Sequence, residues 1–331
     1  MLLAADGAVT GMVSGGCLET DLAERAREVL HEGAPRTVVY DMRSPDDIVW
    51  GLGLGCDGEV RVLLEVLDPE ALPAWCIAAS AARARRGVAA IATVFEAPDP
   101  AIVGRRRWVD ELGGTGGTTG LQDLDARVDR ALADRRSRNE TWESAGGACS
   151  GLIEIVRPVV QLHVFGAGAD APPLVTQAAA LDWDVAVHDH REAFAQAERF
   201  PRATAVHCID YASFDLAALA ADERTALLLM THHFLHDRTL LERLLDLPVA
   251  YLGVLGPRRR LERLLEQLEA DGVRPGDEVR RRLHGPVGLN IGSETPAEIA
   301  LSALSEIQAT IAGRDGGSLR GIDEPLHRWP Q

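Results

Sequence analysis

The fold of this chain is decided by residues 159–191, which read VVQLHVFGAGADAPPLVTQAAALDWDVAVHDHR. An apolar run opens the stretch, a glycine turn interrupts it, residues with helical spacing follow from about Pro172, and a second apolar run closes it. Short apolar runs bounded by turn residues are typical of buried strands. The stretch therefore predicts a strand, a turn, a helix and a second strand, which together form a parallel unit.

The turn contains the pattern GxGxxA at residues 166–171, and Asp189 follows at the end of the next predicted strand. In Rossmann-like domains such glycines let the backbone approach a pyrophosphate at a helix N-terminus, while the acidic residue accepts ribose hydroxyls. Gly166, Gly168 and Asp189 are therefore predicted to bind a nucleotide-type ligand. The alternative is that the glycines only permit close packing. Asp170 would either cap the helix or repel a phosphate.

Strands and helices continue to alternate after this unit, with further apolar runs at Ala203–Cys208, Ala226–Met230 and Val249–Leu255. The pattern predicts a C-terminal Rossmann-like domain, residues 157–331, whose parallel sheet has helices on both faces. The first half is punctuated by glycines and predicts a small N-terminal α/β domain with a linker, residues 1–156. Within it, Gly113–Gly120 is predicted to be a loop and Leu124–Arg138 a charged helix.

The composition excludes several classes of function. The chain has 331 residues, 46% of them hydrophobic, and a net charge of -16, and every basic residue is Arg. Without Lys there is no Schiff-base or pyridoxal-phosphate chemistry and no Walker-loop amine. The negative balance argues against nucleic-acid binding, because affinity for a polyanion depends on basic side chains.

No segment has the layout of a signal peptide or the length of an apolar membrane span, so we expect a cytoplasmic protein without membrane attachment. The five cysteines are widely spaced and include no CxxC pair. This spacing fits neither a disulfide framework nor a zinc ribbon, so most are expected to be reduced thiols.

Two glycine-rich segments of the first half contain a cysteine: SGGCLE at residues 14–19 and GLGLGCDG at residues 51–58. Cys17 would lie near the first turn of a helix, whose dipole favours the thiolate; the alternative is a small residue packed under a tight turn. In the second segment, backbone amides could surround an anion, with Cys56 as a soft ligand. Its glycines could equally mark strand bulges.

The segment MTHHFLHD, residues 230–237, follows a predicted strand. Because the carboxyl ends of parallel strands border the ligand crevice, Thr231 and His232 are expected to face it. His232 and His236 have a metal-capable spacing if a helix begins there, but no HExxH pattern is present, and capping and crevice lining are the favoured interpretations.

Two further glycine segments follow. In LGVLGPRRR, residues 252–260, Gly256 precedes three arginines that could hold a phosphate or a carboxylate; the alternative is a solvated basic helix paired with Glu262. In GPVGLNIGSETPAEIA, residues 285–300, Thr295 and Glu298 predict a capping box for a helix up to about Ile311.

Taken together, these segments resemble the xanthine dehydrogenase accessory family (XdhC/CoxI), in the family's order and over nearly the whole chain. The matching stretches are Gly11–Glu19, Gly51–Gly58, His163–Leu174, Asp189–Arg191, Met230–His232, Tyr251–Arg260 and Gly285–Glu306. The resemblance implies a chaperone, rather than a turnover enzyme, that binds molybdenum cofactor. It would support sulfuration by a cysteine desulfurase and insertion into a xanthine dehydrogenase-type molybdenum hydroxylase.

The resemblance also implies which residues contact the cofactor. They are Ser14, Gly15, Gly16, Cys17, Glu19, Gly55, Cys56, Gly166, Gly168, Asp189, Arg191, His232, Gly256 and Arg258. Cys17 and Cys56 would lie near molybdenum. The chain departs from the family pattern at Ala169, where His is common. The resemblance also implies that the N-terminus is shortened before the segment matching Met1–Gly11.

Two other functions stay open at this point. The glycine turn with Asp189 would also fit an NAD(P)-dependent oxidoreductase, in which His232 could act as an acid. The domain could instead be a docking scaffold that binds no ligand. A homodimer is one way for the short N-terminal domain to close its core.

Overall fold

The structure, a computed structural model, describes residues 1–16, 18–41, 58–144 and 146–321. The chain divides into two compact units at the boundary between Pro158 and Val159. Within the described ranges, no helix combines the length and the hydropathy that crossing a bilayer requires.

The first unit opens with a short antiparallel hairpin, β1 (Leu2–Leu3) and β2 (Val9–Thr10), followed by helix α1 (Glu19–Glu32). Strands β3 (Arg36–Asp41) and β4 (Glu59–Leu64) pair antiparallel. One face of this pair packs against α1, so that a small apolar cluster forms from Leu18, Leu22, Val38 and Tyr40.

A five-stranded antiparallel sheet, ordered β7-β6-β5-β9-β8, completes the first unit. Its elements are helix α2 (Ala74–Ala84), β5 (Ala89–Glu96), β6 (Arg106–Asp110), β7 (Thr115–Gly117), helix α3 (Gln122–Asp134), β8 (Arg138–Ser144) and β9 (Gly147–Val156). Helix α3 buries Leu124, Val128 and Ala131 against one face of the sheet.

Two predictions for this unit were wrong. The segment Gly113–Gly120 is not only loop, because β7 pairs antiparallel with β6 inside it. A Cβ on Gly117 would lie 2.2 Å from the carbonyl oxygen of Arg106, so glycine is what allows this close pairing. Helix α3 ends at Asp134 rather than at Arg138, because Arg135 adopts a left-handed conformation (φ 51°) and β8 begins.

The second unit is a six-stranded parallel sheet, ordered β12-β11-β10-β13-β14-β15. Its elements are β10 (Gln161–Phe165), α4 (Ala171–Ala180), β11 (Asp184–Asp189), β12 (Ala205–Cys208), β13 (Thr225–Leu229), α5 (Phe234–Leu244), β14 (Tyr251–Val254), α6 (Arg258–Ala270), α7 (Asp277–Arg282), β15 (Leu283–His284) and α8 (Pro296–Ile311). The predicted fold class, an N-terminal α/β part and a C-terminal Rossmann-like parallel sheet, is confirmed.

Side chains of the central strands alternate between two cores. Leu162 and Val164 of β10 point to the face covered by α4 and α8, while Phe165 points to the face covered by α5 and α6. On this second face the crossover from β12 to β13 contributes only a 3₁₀ helix, Leu216–Leu219. The sheet is therefore covered less completely near β12 than near β14.

The predicted capping box of α8 is confirmed, with Thr295 and Glu298 bonded reciprocally. The glycine-rich loop before it is held by Glu306 of the same helix, whose Oε2 accepts hydrogen bonds from Tyr251 Oη (2.6 Å) and Gly288 N (2.8 Å). A Cβ on Gly288 would lie 2.2 Å from Ser302 Oγ. Close packing against α8 thus explains this loop without a ligand.

Candidate functional site

The carboxyl ends of β10 and β13 meet at the centre of the parallel sheet. From β10 the chain continues to β11 and β12 on one side, and β13 and β14 lie on the other side. The strand order therefore reverses between β10 and β13, and in open parallel sheets ligands bind at such a switch point. The two turns that leave these strands, at Gly166 and at Thr231, lie next to each other here.

Gly166 is required by the backbone at this point. Its φ is 117°, and a Cβ would lie 2.4 Å from the carbonyl oxygen of Met230 at the end of β13. For Gly166, the close-packing interpretation is thus sufficient. Gly168 differs, because a Cβ there would meet only side chains, those of Asp170 (3.3 Å) and His232 (3.7 Å). Gly168 is the glycine that faces outward.

Asp189 is buried beneath the Gly166 turn, not exposed at its rim. Its Oδ2 accepts from Ala167 N (2.7 Å) and Arg191 Nη2 (2.8 Å), and its Oδ1 accepts from Arg191 N and Nε (both 2.9 Å). Burial opposes ionisation, but these hydrogen bonds from Arg191 and Ala167 outweigh it and lower the pKa of the carboxyl to about 2. Both oxygens have protein partners, so Asp189 organises the turn and offers no exposed carboxylate to a ribose.

Arg191 and Arg199 complete this support. The Arg191 guanidinium, while bonded to Asp189, lies 3.7 Å over the ring of Phe194. Arg199 Nη1 donates to the carbonyl oxygens of Ala167 (2.9 Å) and Phe194 (2.8 Å). Asp189 and Arg191 thus support the Gly166 turn, and Arg191 is a positioning residue here.

Helix α4 offers little to an anion. Pro172 and Pro173 stand in its first turn and have no N–H groups, and Ala171 N is bonded to the carbonyl oxygen of Gly168. Asp170 does not cap the helix; its Oδ2 lies 2.9 Å from His232 Nε2. This acidic side chain places negative charge where a dinucleotide would place its pyrophosphate.

His232 lies at the crevice, as the sequence predicts, but before helix α5 rather than within it. Its backbone is left-handed, with φ 57°, and α5 begins at Phe234. His232 and His236 therefore do not share a helical face. Among the described residues, no group of His, Cys, Asp or Glu side chains has an arrangement that could hold a metal ion.

The second glycine turn, at Gly256, is organised by a different pair. Arg260 Nε and Nη2 donate to Oδ2 of Asp237 (3.0 and 2.6 Å), and Thr231 Oγ1 donates to Oδ1 of the same carboxylate (2.6 Å). Asp237 is fully buried. Sequence reasoning missed this link between the ends of β13 and β14; an Asp in the first turn of α5, facing an Arg-rich turn, was the available signal.

The other two arginines at this turn are directed to solvent. The Arg258 side chain is 81% exposed and its Nε lies 2.9 Å from Glu262 Oε1 on the same helix. Arg259 is also exposed, and its guanidinium has no partner among the residues that the structure describes. Both are available to an anion at the start of α6, whereas Arg260 is occupied.

Imidazole rings gather at the same edge of the sheet, which the sequence did not predict. The ring of His236 lies 4.4 Å from His190, 4.2 Å from His233 and 5.5 Å from Tyr211. Burial, and then the neighbouring His190 and His233, lower the pKa of His236 below its ordinary value. The signals that the sequence offered for this group of rings were two dipeptides, Asp189-His190 and His232-His233.

In the first unit, Ser14 and Glu19 hold the turn that precedes α1. The backbone N–H groups of Val13 and Ser14 donate to Glu19 Oε1 (3.0 and 2.6 Å), Ser14 Oγ donates to Oε2 (2.8 Å), and Leu18 N donates to Ser14 Oγ (3.0 Å). Hydrogen bonds from Ser14, above all its backbone N–H, lower the pKa of Glu19 to about 2. Gly15 and Gly16 are exposed. Cys17, Gly55 and Cys56 lie outside the described residues.

Comparisons with known proteins agree with this architecture. Residues 162–307 match the XdhC Rossmann domain, and residues 1–41 match the XdhC and CoxI family. A xanthine dehydrogenase structure from Bacillus halodurans is 30% identical in sequence and has a TM-score of 0.75. The match covers 96% of this chain and 87% of that one.

Curated relatives match over similar lengths. A probable xanthine dehydrogenase subunit from Bacillus subtilis (strain 168) is 28% identical, covering 94% of this chain and 87% of its own. The molybdenum cofactor insertion chaperone PaoD of Escherichia coli (strain K12) is 25% identical, covering 93% and 76%. The chain belongs to the XdhC and CoxI family, as an XdhC-type accessory protein with a C-terminal XdhC Rossmann domain.

Proposed function

We propose that this protein binds molybdenum cofactor and passes it to a xanthine dehydrogenase-type molybdenum hydroxylase, after sulfuration by a cysteine desulfurase. The observation that carries the proposal is the match to a molybdenum cofactor insertion chaperone over 93% of this chain. The relatives named as xanthine dehydrogenases support the hydroxylase as a partner, and the desulfurase is proposed from the family resemblance alone. On this proposal the protein is a chaperone, not a turnover enzyme.

The residues at the Gly256 turn fit the phosphate end of the cofactor. Arg258 and Arg259 are exposed beside the first turn of α6, whose leading N–H groups favour negative charge. Arginine also matches phosphate geometry through its planar fork. The cofactor itself would supply the molybdenum centre on which the hydroxylase depends, while this chain binds and orients it.

The Gly166 turn supports the proposal by arguing against its main alternative. A dinucleotide needs free N–H groups at the helix start and an exposed acidic residue for the ribose. Here Pro172 and Pro173 remove N–H groups, Asp170 adds a negative charge, and Asp189 is buried against Arg191. These three features disfavour an NAD(P)-dependent oxidoreductase.

We keep Cys17 and Cys56 as proposed contacts near molybdenum, because thiolates are preferred by soft metal centres. The described residues on either side of Cys17 are joined by hydrogen bonds, from Ser14 N to Glu19 and from Leu18 N to Ser14 Oγ. Variants with Cys17→Ala or Cys56→Ala should lose cofactor more rapidly during purification than the wild type.

The direct experiment is to purify the protein from a host that makes molybdopterin, oxidise the sample and measure the fluorescent pterin released. We expect pterin in the purified protein, or uptake of added cofactor by the empty protein, and no tight binding of NADH. A protein that takes up no added cofactor and binds NADH tightly would overturn the proposal.

A charge-matched pair of variants tests the proposed phosphate contact. Arg258→Ala with Arg259→Ala should weaken cofactor retention by about 30-fold or more, since each of the two charge-assisted contacts contributes about 1 kcal/mol or more. Arg274→Ala with Arg281→Ala is the control, because both side chains are exposed and the net charge changes equally. Equal retention by the two double variants would place the phosphate elsewhere.

A further inference from the structure

A cavity lies on the sheet face of the second unit that α5 and α6 only partly cover. It has a volume of about 340 Å³, within the range of small-molecule sites. We call it the histidine cavity, after three of its lining residues, His163, His188 and His207. Its walls run along β11 and β12 from their first residues, Asp184 and Ala205, to His188 and to Ile209, which follows β12.

The cavity exists because of the crossover between β12 and β13. A parallel crossover is usually a full helix that packs on the sheet. Here it is an irregular segment with one 3₁₀ helix, Leu216–Leu219, from which Leu219 is buried against the sheet. Phe214 and Ala218 line the cavity from this side. The short crossover leaves space that a helix would fill.

The three histidine rings form a stack along the sheet. Ring centroids are 5.2 Å apart between His163 and His188 and again between His188 and His207, with interplanar angles of 25° and 18°. His163 and His188 are buried, whereas His207, on the edge strand, is exposed. The stack therefore ends at an accessible aromatic ring, on which another planar ring can stack.

The hydrogen bonds assign the tautomers of the two buried rings. The carbonyl oxygen of Leu219 can only accept, so His163 Nε2 donates to it (3.2 Å), and with neutral rings His188 Nε2 donates to His163 Nδ1 (2.9 Å). Burial, and then His163 and His207, lower the pKa of His188 to about 3, so it is neutral at physiological pH.

His188 Nδ1 is consequently an acceptor. It has no hydrogen-bond partner among the residues that the structure describes, although His188 is only 5% exposed. Because this nitrogen is itself buried, an occupant of the cavity meets the stack at the exposed ring of His207 rather than at this acceptor.

The charge of the lining selects the occupant further. Two carboxylates, Asp184 and Asp215, belong to the wall, and the described lining residues include no arginine. An anion would be repelled, whereas amino and ring N–H groups would find acceptors.

We propose that the histidine cavity binds a small planar nitrogen heterocycle that carries an amino group and no negative charge, stacked on His207. Purine bases and pterins share this chemistry. The inference rests on the cavity alone and does not depend on the proposed handling of molybdenum cofactor.

The test uses the full chain with two fluorescent probes, 2-aminopurine and pterin, titrated separately. Stacking should quench the fluorescence of the bound probe. The probe that binds more tightly shows whether the natural heterocycle is a purine or a pterin. His207→Ala should weaken binding by about tenfold, the effect of one aromatic pair, and His207→Phe should restore it. Benzoate, a planar anion, should not compete.

His233→Ala is the matched control, because it removes an exposed imidazole at the carboxyl edge and should leave probe binding unchanged. Asp184→Asn with Asp215→Asn should let benzoate compete. The proposal is overturned if neither probe binds below about 1 mM, or if His207→Ala binds as the wild type does. Cofactor retention, measured on the same His207→Ala variant, should be unchanged, so that failure of this site and failure of the chaperone function remain distinguishable.

Discussion

The two glycine turns of the second unit have the same place between a strand and a helix but opposite properties. Each follows a parallel strand and precedes a helix, and each contains a glycine with strongly positive φ, 117° at Gly166 and 129° at Gly256. At Gly166 the backbone at the end of a neighbouring strand occupies the space beside the glycine, whereas at Gly256 the nearest atom is Cδ of the Arg260 side chain. One turn is closed by packing and the other remains accessible.

The charges that follow the two turns also differ: they disfavour an anion at the first turn and favour one at the second. The first turn ends in Asp170 and two prolines, and its supporting carboxylate is buried. The second is followed by three arginines, of which only Arg260 is engaged by a buried carboxylate. A glycine fingerprint therefore does not by itself locate an anion site; the N–H groups and charges that follow the glycines decide it.

The largest expected difference between the two turns is the loss of stability when alanine replaces the glycine. Gly166→Ala should destabilise the second unit by about 3 kcal/mol or more, because a Cβ would lie 2.4 Å from a backbone oxygen as well as strain φ. Gly256→Ala should cost about 1–2 kcal/mol, mainly from strain in φ, because the added Cβ would meet side-chain rather than backbone atoms. Urea unfolding of both variants checks this, and equal losses would contradict the distinction.

Breaking one ion pair at each turn should give the next largest effect. Asp189→Asn should cost about 2–3 kcal/mol, the low end for a buried pair, because the Arg191 side chain is 39% exposed. Glu262→Gln, which breaks the exposed pair with Arg258, should change stability by less than about 0.5 kcal/mol. If Glu262→Gln proves equally costly, the Gly256 turn is not as open as we infer.

The same carboxylate predicts a pH dependence. The pKa of Asp189 is lowered from its ordinary value of 3.8 to about 2, so its stabilising effect is complete above about pH 4 and is lost as the pH falls from about 4 towards 2. The stability difference between wild type and Asp189→Asn should therefore be constant from pH 7 to about 5 and narrow below about 4. Denaturant titrations over this pH series provide the measurement.

The smallest expected effect is that of Asp170→Asn on anion binding. Removing this charge should raise pyrophosphate affinity at the Gly166 turn by no more than about threefold, because Pro172 and Pro173 still lack N–H groups. Calorimetric titration with pyrophosphate tests it, with Arg258→Ala and Arg259→Ala present to silence the other turn. Tight binding by this variant would show that charge alone closes the first turn.

Much of the fold was predictable because its signals are local. The apolar runs of β10, β11, β13 and β14 and the capping box of α8 depend on neighbouring residues only. Strand β7 was missed because it consists of Thr and Gly, which have no apolar pattern and become a strand only through pairing with β6. Strand β8 was missed because its Arg- and Glu-rich start looked like the continuation of a charged helix.

The candidate sites were also predictable only in part. The sequence by itself determined the parallel α/β architecture, the family, and the segments that meet at the carboxyl edge, because strand periodicity and turn glycines are recorded in residue order. Only the tertiary structure decided that Asp189 is a buried support, that Asp237 joins two strand ends, and that three histidines form a stack beside a cavity. Burial and side-chain direction depend on which strands become neighbours, and these contacts join residues far apart in the chain.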